Sequence, residues 1–312
     1  MQVRGAGLAR YGVRMRGTEP ARPFGRLLTA MVTPFGVAGE VDLDAAADLA
    51  RYLVDEQGND GLVINGTTGE APTTTDAEKS DLVRVVAEAV GDRAVVVAGV
   101  GTFDTVHSIH LARQAEAAGA DGLLVVTPYY SKPPQAGIAA HFASIADAAD
   151  LPVMLYDIPH RTGTAIAATT FATAAEHPRI VAVKDARLDL ELSAAVMAET
   201  GLAFYCGADA MTLPLLAVGG VGVVGTSTHV SGSGAKAMIA AYERGDVAQA
   251  LRLHRQLLPI FTGIFRAQGV VLVKAALAML GRPVGSVRPP LLDADDHELS
   301  HLRQDLTAAG LI

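Results

Sequence analysis

Eight short apolar runs separated by helical segments predict one closed (β/α)8 barrel, a TIM barrel, followed by a C-terminal helical appendage. Three observations carry that expectation. The runs are apolar on both faces, as parallel strands covered on both sides are. Their starts lie 18 to 34 residues apart, room for a loop, a helix and a return loop. No G-x-G-x-x-G turn follows the first run, which disfavours an open doubly wound sheet. The 312 residues, half of them hydrophobic, suit a barrel of ordinary size.

The runs are Leu27–Val32, Gly61–Ile64, Ala94–Ala98, Gly122–Val126, Pro152–Tyr156, Ile180–Val183, Ala203–Cys206 and Val221–Gly225. Each is bounded by Gly, Pro, Asp or Thr. Between the first pair, Asp42–Gln57 reads as a helix opened by an Asp cap and stopped before Gly58. Asp76–Val90 stops before Gly91, and Thr105–Ala118 stops at Gly119, the positions where a helix end needs a left-handed residue. Beyond the eighth run, helical patterns cover roughly 246–265, 270–280 and 294–308. The expected division is a flexible extension over 1–24, the barrel over 25–232, and the last barrel helix plus helical segment over 233–312. The extension carries Arg4, Arg10, Arg14, Arg16 and Arg22 against Glu19 alone, and four glycines. It has no apolar core of a secretory signal, so a tail is expected rather than a targeting peptide.

Composition narrows the function. A net charge of −8 speaks against a general nucleic-acid surface. No run of eighteen apolar residues predicts a membrane span. A single cysteine, Cys206, excludes an intrachain disulfide and any cysteine-clustered metal site, which fits a reducing, cytoplasmic setting. The histidines in helical segments, His107, His110, His141 and His254, lack metal-ligand spacing and read as structural or surface residues.

Chemistry gathers at the ends of the predicted strands, which converge on one face of a barrel. Lys184 closes the run Ile180-Val181-Ala182-Val183. The chain has five lysines against twenty arginines, so a lysine there calls for a reason. An amine in apolar surroundings loses part of its affinity for a proton and becomes a nucleophile toward carbonyls. The plain alternative is a strand emerging into solvent. Tyr156, at the end of the neighbouring run, could pass the protons that imine formation needs, and Arg161, five residues on, could clamp a carboxylate. Gly66-Thr67-Thr68-Gly69-Glu70 after the second run could grip a small carboxylate through its N–H groups and hydroxyls, or serve as a simple turn. Thr127-Pro128-Tyr129-Tyr130 carries paired phenols in a proline-rich loop. The other lysines compete poorly: Lys79 and Lys236 lie in helices, Lys132 in that loop, and Lys274 in mid-helix.

Together these motifs resemble the pyruvate-dependent class I aldolase family of dihydrodipicolinate synthase and N-acetylneuraminate lyase. The likeness runs from about Gly25 to the C-terminus and rests on Gly66–Glu70, Thr127–Tyr130, Leu155–Gly163 and Val183-Lys184-Asp185, in order and at family spacing. It implies that Lys184 forms a Schiff base with pyruvate without metal or organic cofactor. It implies that Tyr156 is the general acid/base, and that Thr67 and Tyr130 complete a proton relay. Tyr130 would serve the neighbouring subunit's site, so a homo-oligomer, a dimer of dimers, is expected. Gly66, Thr68 and the turn's N–H groups would hold the pyruvate carboxylate, with the backbone of Val224 beside it. Arg161 points to the dihydrodipicolinate-synthase branch, where that position binds the carboxylate of aspartate semialdehyde. Tyr-Asp-Ile-Pro-x-Arg and Ser-Lys-Pro-Pro-Gln look particularly actinobacterial.

Three departures accompany the likeness. Asn65 stands where a small serine is common. Gly207-Ala208-Asp209 replaces Gly-Asp-Asp, removing one carboxylate. Ala71, Asp76, Lys79 and His107 do not reproduce the allosteric pocket of lysine-inhibited members, which predicts weak lysine feedback. The expected reaction is condensation of pyruvate with L-aspartate 4-semialdehyde to 4-hydroxy-tetrahydrodipicolinate, for lysine and diaminopimelate synthesis. The alternatives are a pyruvate lyase or aldolase using another aldehyde or sugar acid, and a barrel that binds a keto acid without turnover.

Overall fold

A computed structural model describes residues 21–312. The elements follow in order as β1 (Leu27–Ala30), α1 (Leu43–Asp55), β2 (Gly61–Ile64), α2 (Asp76–Val90), β3 (Val95–Gly99), α3 (Thr105–Ala117), β4 (Gly122–Val126), α4 (Gln135–Ala146), β5 (Val153–Asp157), α5 (Pro159–Thr162), α6 (Ala168–Ala175), β6 (Ile180–Asp185), α7 (Leu190–Thr200), β7 (Ala203–Cys206), α8 (Thr212–Ala217) and β8 (Gly222–Gly225). Then come α9 (Thr228–Glu243), α10 (Val247–Gly263), α11 (Gly269–Met279) and α12 (Asp296–Ala308). All eight strands are parallel, each pairs with the next, and β1 pairs with β8 in the register Leu28↔Val224, closing the barrel.

Alternation along each strand sorts side chains into two cores. Leu28 and Ala30, Val63, Val97, Leu124, Met154 and Tyr156, Ala182, Tyr205 and Val224 fill the interior. Their neighbours, among them Leu27, Leu62, Val96, Leu123, Val153, Val183, Phe204 and Val223, pack outward against the helices. That parity decides where chemistry can occur. Tyr156 lies two residues beyond inward Met154, and Lys184 two beyond inward Ala182, so both enter the barrel rather than its helical coat.

The helix starts are capped as the sequence suggests. Asp42 accepts from the Ala45 N–H at 2.9 Å, and Thr75 with Glu78 forms a reciprocal capping box before α2. Asp104 accepts from the Val106 N–H at 2.9 Å at the head of α3.

Two expected boundaries move. Residues 1–20 of the predicted extension lie outside the described residues, but its last residues belong to the barrel. Phe24 is buried and plugs the end opposite the catalytic face; its N–H donates to the Tyr205 hydroxyl at 3.2 Å, and that hydroxyl donates to the Gly25 carbonyl at 3.0 Å. Arg22 pairs with Glu243 at 2.6 Å. An interior of short strands needs a floor, and the chain entering β1 is the nearest source of one. The helix after β8 starts at Thr228 rather than near 233, because only two residues separate it from the strand. Within its first turn His229 is buried: Nδ1–H donates to the Thr226 carbonyl at 2.8 Å, while Nε2 accepts from the Val32 N–H at 3.1 Å. Burial pushes this imidazole down to about 4, so the neutral ring ties the loop after β1 to that after β8.

Among the described residues no helix is long and apolar enough to cross a membrane.

Candidate active site

Lys184 and Tyr156 face each other in adjacent strands, paired residue for residue in the β5–β6 register. The Lys184 amine stands 4.4 Å from the centre of the Tyr156 ring. Both side chains are 5% exposed, so neither ionised form is hydrated. Desolvation, opposed by the Asp209 carboxylate and reinforced by the Arg161 guanidinium, brings the amine down to about 8. Desolvation likewise holds the Tyr156 phenol up at about 12, against the lowering influence of the Arg161 charge and the neighbouring Thr67 hydroxyl. The result is an amine that can shed its proton near neutrality beside a phenol that keeps its own.

Thr67 and Thr68 sit on the turn after β2. The N–H groups of Gly69 and Ala71 both close onto the Gly66 carbonyl, at 3.1 and 3.3 Å, and that of Glu70 onto the Thr67 carbonyl at 3.2 Å. The N–H groups of Thr67 and Thr68 donate to no protein group among the described residues. The turn is bracketed by two non-glycine residues in the left-handed region, Asn65 at φ 59° and Glu70 at φ 55°. Such backbone is sparsely populated and needs outside support. Asn65 donates to the Lys79 carbonyl at 3.0 Å, and its own carbonyl lies so close to Gly99 that a Cβ there would collide with it. Val224, fully buried, lines the interior opposite on β8. The Thr68 hydroxyl lies 3.4 Å from that of Thr226, just past β8.

Arg161 belongs to the single turn α5, which Pro159 opens and Gly163 closes at φ 75°. Its guanidinium donates to the Gln268 side-chain oxygen at 2.7 Å, and the residue is exposed at the barrel mouth. A cavity of about 550 Å³ opens here, lined by Thr67, Tyr129, Tyr156 and Arg161 and extending to Asp76, Lys79 and His107. In that extension His107 and Asp76 pair at 3.0 Å, and Lys79 donates to the Thr74 carbonyl.

Tyr130 differs from the other predicted site residues. It is 93% exposed, its backbone is left-handed at φ 69°, and its hydroxyl bonds to nothing among the described residues. The fold therefore brings Lys184, Tyr156, Thr67, Thr68, Gly66 and Val224 together, with Arg161 at the rim and the exposed Tyr130 at the cavity's outer edge.

Several residues of the site carry no assignment in the sequence reading. Asp209, three residues past β7, is buried, favours the charged Lys184 amine electrostatically, and accepts from the Ser227 hydroxyl at 2.6 Å and from the N–H groups of Ser227 and Thr226 at 3.0 and 3.1 Å. The Gly-Asp-Asp departure at Ala208 thus leaves one fully hydrogen-bonded carboxylate in place. Thr226 and Asp209 occupy the same strand-end positions that drew attention elsewhere, and that position was the available signal. Gln268 gives no local signal, since its importance comes from meeting Arg161 across 107 residues.

A model of the dihydrodipicolinate synthetase family matches residues 23–309. A protein of Acidothermus cellulolyticus named 4-hydroxy-tetrahydrodipicolinate synthase is 67% identical over 288 residues, covering 92% of this chain and 93% of the relative. A protein of Streptomyces coelicolor named 4-hydroxy-tetrahydrodipicolinate synthase 2 is 59% identical, covering 94% of this chain and 98% of the relative. Among solved structures, the enzyme of Cyanidioschyzon merolae with lysine bound superposes with a TM-score of 0.91 at 44% identity, covering 94% of this chain and all of that one. With a match that spans the whole barrel, whose strand ends present a buried amine, a phenol and a hydroxyl-bearing turn, the chain belongs to the dihydrodipicolinate synthetase family.

Proposed function

We propose that this chain condenses pyruvate with L-aspartate 4-semialdehyde to 4-hydroxy-tetrahydrodipicolinate, a step toward lysine and diaminopimelate. The observation that carries the reading is the Lys184 amine, buried, set in register with Tyr156 and brought down to about 8. A neutral amine attacks the pyruvate ketone; loss of water gives a protonated imine on Lys184. The positive nitrogen draws electrons from the adjacent methyl group, which loses a proton to become an enamine. The enamine carbon attacks the aldehyde. The amino group of the semialdehyde then displaces Lys184 from the imine carbon, closing the ring and freeing the enzyme. The imine itself supplies the electron sink that a metal or organic cofactor supplies in other enzymes.

The residue roles follow from position. Tyr156, protonated across the working range, gives and takes the protons of imine formation, with the neighbouring Thr67 hydroxyl as the next member of the relay. The unengaged N–H groups of Thr67 and Thr68, and the Thr68 hydroxyl, receive the pyruvate carboxylate, with Gly66 shaping the turn and the Val224 backbone alongside. Arg161, aimed by Gln268, receives the carboxylate of the second substrate. The exposure of Tyr130 supports its donation to a neighbouring protomer's relay, as a dimer of dimers would allow, and the biosynthetic reaction of the relatives supports a cytoplasmic setting. Mixing Lys184→Ala with Tyr130→Phe protomers is then expected to regenerate activity neither variant has, since the hybrid holds one complete site.

The reaction is tested by offering pyruvate with a panel of aldehydes. Aspartate semialdehyde is expected to give the highest kcat/KM. Faster turnover with an uncharged sugar aldehyde would contradict the assignment.

A further inference from the structure

The turn that receives the pyruvate carboxylate ends at Glu70, and Glu70 is held from the far end of the chain. Its side chain is 3% exposed, although glutamate is among the residues least often buried. One carboxylate oxygen lies 2.8 Å from the amine of Lys274, on α11. The other accepts the Arg288 N–H at 2.8 Å. Lys274 is itself 4% exposed, donates to the Ser286 carbonyl at 2.8 Å and stands 4.3 Å over the Phe35 ring. Arg288 stacks on that ring, also at 4.3 Å, and pairs with Glu78 at 2.5 Å. The ring carries a cation on each contact, and one cation grips the turn directly.

A buried ion pair is poor evidence of stability as such, because desolvating both charges offsets their attraction. It does fix geometry, since each partner can be satisfied in few positions. What it fixes here is a backbone that resists fixing. Glu70 is left-handed at φ 55°, ψ 35°, and its N–H closes the turn on the Thr67 carbonyl. The same α11 begins beside Thr226, the hydroxyl neighbour of Thr68, at Gly269, where a Cβ would lie 3.3 Å from the Thr226 methyl. A lysine reaching from this helix into the turn therefore sets where the Thr67 and Thr68 N–H groups point.

We propose that Lys274 and Glu70 are positioning residues for the pyruvate-binding turn, so that α11 of the C-terminal segment determines pyruvate affinity. The inference rests on the reading that this turn grips the pyruvate carboxylate. A lysine in mid-helix is no rival nucleophile to Lys184 here, because its amine already serves Glu70 and a carbonyl.

The test separates positioning from stability. Lys274→Met strands a buried carboxylate and is expected to lower the melting temperature and raise KM for pyruvate tenfold or more. KM for aspartate semialdehyde, set at Arg161, is expected to stay within about twofold. Adding Glu70→Gln to Lys274→Met removes the stranded charge; melting temperature is expected to recover while pyruvate KM stays high. Glu70→Gln alone keeps the shape and covers the case in which Lys274→Met does not fold, with an expected three- to tenfold rise in pyruvate KM. Pyruvate KM returning to the wild-type value along with stability, or rising equally for both substrates, overturns the proposal. A wild-type enzyme that forms no pyruvate adduct on Lys184 under borohydride would instead overturn the underlying reading of the site.

Discussion

An ordinary lysine loses its proton at 10.5, and Lys184 does so at about 8. At pH 7.5 roughly a quarter of such amines are neutral, against about one in a thousand for an ordinary lysine, so the nucleophilic form is enriched roughly two-hundred-fold. A lower pKa also makes an amine intrinsically less nucleophilic, which returns part of that gain. The assay is the rate of imine formation with saturating pyruvate, quenched into borohydride from pH 6 to 10. The expected profile rises to a midpoint near 8 and then levels. A rate that climbs without a break to pH 10 would refute the depressed amine. The same shift appears in stability. The folded pKa lies below the unfolded one, so between about pH 8 and 10.5 the unfolded chain holds more protons, and stability rises with pH through that window. Below pH 8 the full penalty is present, about 3 kcal/mol at most. Lys184→Met should therefore be more stable than the parent in urea at pH 7 by up to that amount, with the difference shrinking toward pH 10. A difference that does not change with pH would contradict the cause assigned to the shift.

Three further outcomes follow from the same geometry. Tyr156→Phe keeps the ring against Lys184 but removes the proton carrier, and kcat is expected to fall about 100- to 10,000-fold with the fold intact by circular dichroism. Arg161→Ala is expected to cost about 10- to 100-fold in kcat/KM for aspartate semialdehyde, as loss of a charge-assisted contact would, while pyruvate adduct formation persists. Phe24→Ala opens the barrel floor and is expected to destabilise by about 3–5 kcal/mol, read as a lowered urea midpoint with the pyruvate KM unchanged; a change confined to KM would show that the floor serves the site and not the core.

The eight strands and the strand-end placement of Tyr156 and Lys184 were legible because both are local. A buried parallel strand is a short apolar run whatever its partners, and parity alone then places Tyr156 and Lys184 inside. What was not legible depends on distant partners. Lys274 reads as one more lysine within a helix, because its reason for burial, Glu70, lies 204 residues away in sequence. Phe24 sits among residues that read as a tail, and only the closed barrel gives it a floor to fill. Tyr130 looks like its neighbour Tyr129 in sequence, and both border the cavity, yet Tyr129 is half-buried while Tyr130 is 93% exposed, a difference that only the folded loop creates. Asp209 was counted only by the aspartate missing beside it, although its charge is the one that most opposes the loss of the Lys184 proton.

The most direct test of the central claim is reduction with borohydride in the presence of pyruvate, followed by mass mapping of the chain. A single reduced pyruvyl adduct on Lys184, lost in Lys184→Ala together with turnover, is the predicted result. An adduct on Lys274 or any other lysine, or full turnover by Lys184→Ala, would contradict it.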